Sequence, residues 1–388
     1  MKSPIYLDNH STTRMDERVL DVMLPYFVEQ FGNAASRQHS YGWTAEAAVE
    51  KARREVAEMI GADPTEIVFT SGATESINLA VKGLAESNGN SRTHVITAVT
   101  EHVAVLDSCA RLEDFGYSVT RLPVDRFGVI DPDDVRKAIT PRTLLVSLMM
   151  ANNEIGTVAP VDVLAGICRE AGVLFHTDAT QAVPFLPLNV RAMSIDLLSL
   201  SSHKIHGPKG VGALYVRSGI TLTAQMDGGG HERGRRSGTL NVPGIVGLGE
   251  AARLVTVERP FSAARVSALR DKFAVLLEAK CGDVSFNGHP DHRLPNNLNV
   301  TFRGLRADRL IMEVREVAMS TGSACSSASQ EPSHVLQAIG LDRDAVNSSL
   351  RFGLSRFTTE EEIESAAEAL CEGVSRLRSK VVPFEFHM

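Results

Sequence analysis

Cysteine is scarce in this chain of 388 residues, and its five copies show no ordered spacing. No two of them have the C-x-x-C spacing of metal-binding or redox pairs, and their number is odd. We therefore predict neither a disulfide framework nor a structural zinc site, and we expect a reducing compartment. Four of the five lie in helical or strand-like patterns and are predicted to be packing residues: Cys109, Cys168, Cys281 and Cys371.

Long apolar runs and an excess of positive charge are also missing. No stretch of about 20 apolar residues occurs, so no membrane-spanning helix is predicted. The first residues lack the apolar core of a signal peptide, which makes the cytoplasm the expected location. The chain carries 40 Lys and Arg against 47 Asp and Glu, a net charge of −7, so it lacks the basic surface of a nucleic-acid-binding protein.

The hydrophobic pattern indicates an α/β fold. From about residue 45 to residue 257, short apolar runs alternate with amphipathic helical patterns, which favours a mostly parallel sheet covered by helices on both faces. After that point the pattern is typical of a smaller α+β domain, and Pro260 is predicted to begin a helix over Phe261–Ala279. We predict a large domain at 15–257 and a small domain formed by 1–14 and 258–388.

Polar residues stand where the predicted strands end, the edge at which α/β sheets bind ligands. At Thr70–Glu75 a strand turns into a helix whose free N–H groups suit a phosphate, although a plain helix cap explains the same residues. His102 follows the next strand, and a lone histidine is more often structural. Asn153 lies in a polar turn after a third strand, where a simple loop is the alternative.

Asp178 and Lys204 follow two further apolar strands and form the strongest pair. A carboxylate at the end of a buried strand needs a partner, and a protonated heterocyclic nitrogen would be one. Gln181 lies three residues further on. Lys204 stands between Ser201, His203 and a glycine-rich turn, and a partly desolvated lysine there would be a nucleophilic amine for Schiff-base chemistry.

Three further segments complete the candidates. Residues 227–240 are rich in glycine and arginine and would either cradle an anion or form a flexible loop. Cys325 lies among Ser, Gly and Ala in the loop 320–330, which predicts an accessible thiol. Arg351 lies on an otherwise apolar strand, where it would bind a carboxylate in a bidentate manner or form a structural ion pair.

These motifs, in this order, resemble the cysteine desulfurases of the fold-type I, aspartate aminotransferase-like pyridoxal phosphate enzymes. The resemblance runs over nearly the whole chain and is closest to the housekeeping and nitrogen-fixation branch, whose thiol lies in a long loop. It is carried by these segments: Tyr6–Asp8, Phe31–Ser36, Thr70–Glu75, Thr100–His102, Asn152–Gly156, His203–Lys204, Arg236–Thr239, Ser323–Cys325 and Arg351–Phe357.

The resemblance implies a role for each matching residue. Lys204 would hold pyridoxal 5′-phosphate as a Schiff base, Asp178 would pair with its ring nitrogen, and Gln181 would bond its ring hydroxyl oxygen. His102 would stack on the ring and move protons. The phosphate would be held by Ala73, Thr74, Ser201 and His203, with Thr239 reaching the opposite active site of a homodimer. Asn153, beside the cofactor, and Arg351 would orient the substrate carboxylate.

The implied reaction converts L-cysteine to L-alanine and leaves the sulfur on Cys325 as a persulfide. An iron–sulfur scaffold or another acceptor protein would receive it, and Cys325 would also ligate an iron–sulfur cluster transiently. Only Val381–Met388 follow Lys380, where long housekeeping members carry an extended tail that helps to recruit the scaffold. The alternatives are selenocysteine lyase activity, another enzyme of this fold such as an aminotransferase, and an inactive assembly platform.

Overall fold

The structure is a computed structural model that describes residues 4–89, 91–321 and 332–380. The strands in these ranges are β1 (Ile5–Tyr6), β2 (Ile67–Thr70), β3 (His94–Ala98), β4 (Ser118–Leu122), β5 (Thr143–Ser147), β6 (Leu174–Asp178), β7 (Leu197–Ser201), β8 (Gly212–Val216), β9 (Val284–Asn287), β10 (Asn297–Phe302), β11 (Val317–Ala318) and β12 (Ser349–Gly353). The helices are α1 (Glu17–Met23), α2 (Pro25–Val28), α3 (Ser40–Ile60), α4 (Ala73–Ser87), α5 (Val103–Glu113), α6 (Pro132–Ala138), α7 (Val161–Glu170), α8 (Val242–Cys281), α9 (Ala307–Glu313), α10 (His334–Ala338), α11 (Arg343–Asn347) and α12 (Glu360–Lys380).

A seven-stranded sheet in the order β2-β8-β7-β6-β5-β3-β4 forms the centre of the fold. Only β8 runs against its neighbours, so the predicted mostly parallel sheet is confirmed. The five residues of each of β3, β5, β7 and β8 are all buried. Burial on both faces explains why these strands appear in the sequence as continuous apolar runs.

A second apolar core lies around the antiparallel sheet β12-β10-β9, and it is packed by the second half of α8 and by α12. The first half of α8 belongs instead to the core of the large sheet, where it packs with α3. The helix thus passes through residue 258, where the sequence predicted a domain boundary. The division at that residue stays a prediction.

Pro260 does not begin a helix, contrary to the prediction, because α8 is continuous from Val242 to Cys281 with Pro260 inside it. A proline inside a helix removes one backbone hydrogen bond at a cost of about 3 kcal/mol. The apolar residues of α8 pack into both cores. We infer that this packing on either side of Pro260 offsets the cost.

Cys281 and Cys371, which were predicted to be packing residues, form a disulfide bond. The prediction failed because the two residues are 90 positions apart in sequence, whereas the packing of α8 on α12 brings their Cα atoms to 4.7 Å. Cys109 and Cys168 are buried free thiols, as expected of packing residues.

Among the described residues, no helix is both long enough and apolar enough to cross a bilayer.

We expect Cys371→Ser to lower the free energy of unfolding of the oxidised protein by about 2–4 kcal/mol, because the bridge restricts a long loop in the unfolded chain. Urea midpoints measured with and without dithiothreitol check this, and reductant should lower the midpoint of the wild type but not that of the variant. Five cysteines minus the two in the bond leaves three titratable thiols in the denatured, oxidised protein. Five thiols, or equal midpoints, would contradict the bond.

Candidate active site

A cavity of about 810 Å³ lies at the carboxyl ends of the parallel strands. The chain reverses beyond this edge before it packs back on the sheet, and the turns and helix starts formed there line the cavity. Nine of the twelve residues predicted from the sequence line the cavity: Ala73, Thr74, His102, Asn153, Asp178, Gln181, Ser201, His203 and Lys204. The fold therefore gathers residues that are up to 131 positions apart in sequence, from Ala73 to Lys204.

The N-terminus of α4 forms one wall of the cavity, and no side chain in the described part of the chain caps it. Its backbone N–H groups and the positive end of its dipole therefore face the cavity, an arrangement that binds anions. Gly72 precedes the helix with φ of 153°, and Gly212 of β8 passes so close that a Cβ on Gly212 would lie 2.7 Å from the Gly72 Cα. Two glycines thus allow this turn to form against the sheet.

Lys204 lies in a short 3-10 turn after β7 and is only 9% exposed. Its Nζ donates to the backbone carbonyl of His10 and, at 2.7 Å, to the carbonyl of Ser11. Two carbonyl oxygens hold the amine in the cavity without neutralising its charge. This is the environment of a lysine that can react with a carbonyl compound once it gives up a proton.

Asp178 ends β6 and is buried, with its Oδ1 accepting the backbone N–H of Thr180 at 2.9 Å. His102 caps α5 by accepting the Ala104 N–H on Nδ1 at 3.2 Å, which fixes the orientation of its ring in the cavity wall. The cavity therefore places a carboxylate, an imidazole and an amine around one space. Burial, and then the positive charges of Lys204 and Lys209, lower the pKa of His203 to about 4, so its imidazole is neutral near pH 7.

Arg351 does not line the cavity but lies directly behind its wall. It is 1% exposed, and its Nη1 donates to the carbonyl of Asn153 at 3.0 Å. Its Nη2 lies 3.0 Å from Asp8 Oδ1 and 2.9 Å from Ser11 Oγ. The structural ion pair that the sequence left open is therefore present, and it holds the guanidinium beside the Asn153 turn.

Thr239 is exposed and does not line the cavity. Its segment is nonetheless tied to the cavity wall, since Arg236 forms an ion pair of 2.8 Å with Glu75 in the first turn of α4. Cys325 lies outside the described residues. Its position relative to the cavity therefore remains a prediction from the sequence.

Sequence reasoning missed one group at this site, and it missed the contacts that anchor another. The segment His10–Thr12 follows β1 and lines the cavity, although no periodic pattern marks it. The Asn152–Glu154 turn was predicted, but its anchors were not. The Glu154 backbone carbonyl accepts from Asn297 of β10 at 3.2 Å, and the Glu154 carboxylate oxygen Oε2 accepts from Ser333 Oγ, just before α10, at 2.5 Å. The one available signal for the first group was His10 itself, which follows the Tyr6–Asp8 segment.

Glu101 is a buried acid beside His102, and its Oε1 accepts the Met149 N–H at 2.7 Å. No hydrogen-bond partner of its Oε2 is found among the described residues. Burial raises the pKa of this carboxyl well above its usual value, and the negative charge of Asp178 raises it further. Glu101 therefore keeps its proton to a higher pH than an exposed glutamate does.

Stability should fall as the pH drops from about 6.5 to about 4, because several histidines are buried and neutral. Burial lowers the pKa of His10 to about 3 and that of His176 and His206 to about 4. Below pH 6.5 these histidines bind protons in the unfolded chain but not in the folded protein. The free energy of unfolding therefore falls by about 1.4 kcal/mol per pH unit for each such histidine. Glu101 has the opposite sign, because burial raises its pKa in the folded protein, so its protonation reduces this loss of stability.

Urea midpoints at pH 7, 6, 5 and 4.5 measure this loss. Asp16, whose carboxyl pKa is lowered chiefly by its hydrogen bond with Arg18, contributes little in this window, since its unfolded form titrates near 3.8. A midpoint that stays constant between pH 6.5 and 4.5 would contradict the assignment of neutral buried histidines.

Comparisons with known proteins agree with this geometry. The model of the aminotransferase class-V family matches residues 5–365. The chain is 55% identical over 380 residues to the cysteine desulfurase IscS of Anaeromyxobacter dehalogenans, covering 97% of this chain and 94% of that protein. It is 50% identical over 377 residues to a cysteine desulfurase of Pongo abelii, covering 97% and 82%. A solved NifS-like protein superposes with a TM-score of 0.91 at 37% identity, covering 96% of this chain and all of that one.

Proposed function

The chain belongs to the aminotransferase class-V family and is a pyridoxal phosphate-dependent cysteine desulfurase, and we propose that the cavity at the strand ends is its active site. One observation carries this assignment. The buried Lys204 amine, the Asp178 carboxylate and the uncapped start of α4 all face one cavity. They are the three groups that a phosphorylated pyridine aldehyde requires.

The residues present fit the cofactor. Its phosphate suits the N–H groups at the start of α4 with the side chains of Thr74, Ser201 and His203, since these are donors around an uncapped helix end. Asp178 would lie at the ring nitrogen, because a buried carboxylate needs a cationic partner. Lys204 would bind the aldehyde carbon. When bound, the protonated ring supplies an acceptor for the electrons released at the substrate Cα.

The protein groups then select the bond that breaks. Asn153 would orient the L-cysteine carboxylate, and Arg351, which lies behind the cavity wall, would position Asn153 through its hydrogen bond to the Asn153 carbonyl. Lys204 and His102 would carry the Cα proton. The thiolate of Cys325 would attack the substrate sulfur, so that an S–S bond forms as the C–S bond breaks. The carbon keeps the bonding electron pair and takes up a proton, which yields L-alanine.

The proposal is tested with purified holoenzyme, L-cysteine and a reductant, by measuring alanine and sulfide in the same sample. Equal amounts of the two, both lost in Cys325→Ala while the visible absorbance of the cofactor remains, are expected. Cys109→Ala is the matched control, because Cys109 is buried in α5 and outside the cavity. Alanine produced by Cys325→Ala at the wild-type rate would overturn the persulfide step.

The same assay separates the alternatives. A coloured holoenzyme that converts cysteine to a keto acid would be an aminotransferase. Selenocysteine turnover that exceeds cysteine turnover would identify a lyase for that substrate. A chain that binds no cofactor would be a platform. Transfer of the persulfide to an iron–sulfur scaffold, transient cluster ligation by Cys325 and a cytoplasmic location stay our predictions from the sequence.

We also propose that the enzyme is a homodimer in which Thr239 completes the phosphate site of the partner. An exposed apolar segment supports this: six large apolar side chains between residues 24 and 43 are each 50–73% exposed, namely Leu24, Phe27, Val28, Phe31, Tyr41 and Trp43. The Phe31 and Tyr41 rings are in contact, tilted by 35° with their centroids 5.3 Å apart, so part of the segment is one continuous surface. Apolar area of this kind favours an interface.

Sedimentation analysis should give a particle of twice the 42.0 kDa chain mass. Replacing Phe27 and Val28 together by glutamate should give a monomer that binds the cofactor more weakly, since Thr239 can no longer reach a second site. A wild type that is monomeric at micromolar concentration, with normal cofactor affinity, would contradict the proposal.

A further inference from the structure

His10 is the least expected residue of the cavity. It follows β1, is 1% exposed and stands between the two candidate cofactor residues Lys204 and Gln181. Its carbonyl accepts from Lys204 Nζ and, at 3.1 Å, from Gln181 Nε2. Its ring is packed tightly, because a Cβ on Gly353 would lie 2.7 Å from His10 Cδ2. The imidazole therefore has one fixed orientation.

Both ring nitrogens of His10 have a hydrogen-bond partner. Nδ1 lies 2.9 Å from Gln181 Oε1, and Nε2 lies 3.1 Å from Asn297 Nδ2. Which nitrogen carries the proton follows from the orientation of the Asn297 amide. Asn297 Nδ2 donates to the Glu154 carbonyl at 3.2 Å, and Asn297 Oδ1 accepts from Arg293 Nη2 at 3.3 Å. A carbonyl only accepts and a guanidinium only donates, so this amide has a single orientation.

The direction of the remaining bonds follows. Asn297 donates to Nε2, so the proton of the neutral ring is on Nδ1 and is donated to Gln181 Oε1. The oxygen of Gln181 is thereby occupied, and one of its N–H groups donates to the His10 carbonyl. Its second N–H is the group that Gln181 can offer to the cavity. Burial, with the charges of Arg351 and Lys204 facing the ring, keeps His10 neutral, since its pKa is about 3.

We infer that His10 is a positioning residue that holds the Gln181 amide with its N–H toward the ring hydroxyl oxygen of the cofactor. This rests on the proposed roles of Lys204 and Gln181 and adds the group that orients one of them. A donor at that position favours the ionised form of the oxygen. The charge on that oxygen in turn sets the proton affinity of the nitrogen that would join Lys204 to the cofactor. An oxygen that already accepts a hydrogen bond from Gln181 attracts the proton on this nitrogen less strongly.

The test is a pH titration of the visible absorbance band of the holoenzyme, which reports that proton affinity without any turnover. His10→Leu leaves Gln181 free to rotate, and we expect the spectroscopic pKa to rise by about one unit, as for the loss of one hydrogen bond to a charged acceptor. His10→Asn should restore the wild-type value, because its amide nitrogen can replace Nδ1 as a donor to Gln181.

A double-mutant cycle distinguishes positioning from a merely structural role. If His10 acts through Gln181, the variant with both His10→Leu and Gln181→Leu should titrate like Gln181→Leu alone. Additive shifts, or a His10→Leu holoenzyme that loses thermal stability but keeps the wild-type spectroscopic pKa, would overturn the inference. A visible band that persists in Lys204→Ala would instead contradict the proposed function, so the two failures are distinct.

Discussion

Replacing Lys204 by alanine should abolish the visible absorbance of the bound cofactor and lower desulfurase turnover by about two to four orders of magnitude. The amine is buried and held at the end of β7 by two backbone carbonyls. Among the described residues, the other lysine that lines the cavity is Lys209, which is exposed. On the proposed assignment, losing Lys204 would therefore remove both the covalent attachment of the cofactor and the amine best placed to move the substrate proton.

Lys209→Ala is the matched control, because it removes one positive charge from the same cavity but leaves the buried amine in place. It should keep the visible band and most of the turnover. Spectra of both variants with added pyridoxal phosphate, together with alanine release from L-cysteine, make the comparison. A Lys204→Ala protein that keeps the band, or a Lys209→Ala protein that loses it, would show that the cofactor is attached to a residue other than Lys204.

The location of the residues at the strand ends was predictable, because parallel strands place their carboxyl ends at the same edge of the sheet. Once buried apolar runs alternate with helices, every polar residue that follows a strand must lie at the same edge. The pairing of Asp178 with Lys204 needed no knowledge of side-chain contacts, and the structure places both in one cavity. The short edge strand β4 went unnoticed because its side chains are mostly exposed or half-buried, which leaves no continuous apolar run.

Contacts between distant segments could not be predicted in the same way. His10 reaches Gln181, 171 positions away, through a loop without periodicity. Cys281 meets Cys371 only because α8 and α12 pack side by side. The interior position of Pro260 likewise depends on the packing of α8 into two cores at once. In each case tertiary packing overrides a local signal, and a single sequence carries no record of that packing.

Asp178→Asn should retain the cofactor on Lys204 yet slow proton removal from the substrate by about 100-fold to 1000-fold, the usual cost of losing one preorganised electrostatic group. The asparagine keeps an oxygen for the Thr180 N–H, which Asp178 Oδ1 accepts at 2.9 Å, so the turn after β6 should survive. What would be lost is the negative charge that, in the proposed site, keeps a proton on the ring nitrogen. Without that proton the ring accepts electrons from the substrate Cα less readily.

Deuterium exchange at the Cα of L-alanine in heavy water isolates this step, because it requires no sulfur transfer and does not involve Cys325. Asp107→Asn is the control, since Asp107 lines the same cavity from α5 but is exposed. We expect slow exchange in Asp178→Asn, near-normal exchange in Asp107→Asn, and the visible band in both. Exchange at the wild-type rate in Asp178→Asn would show that another group protonates the ring. The best-supported carboxylate of the cavity would then have only a structural role, in binding the Thr180 N–H.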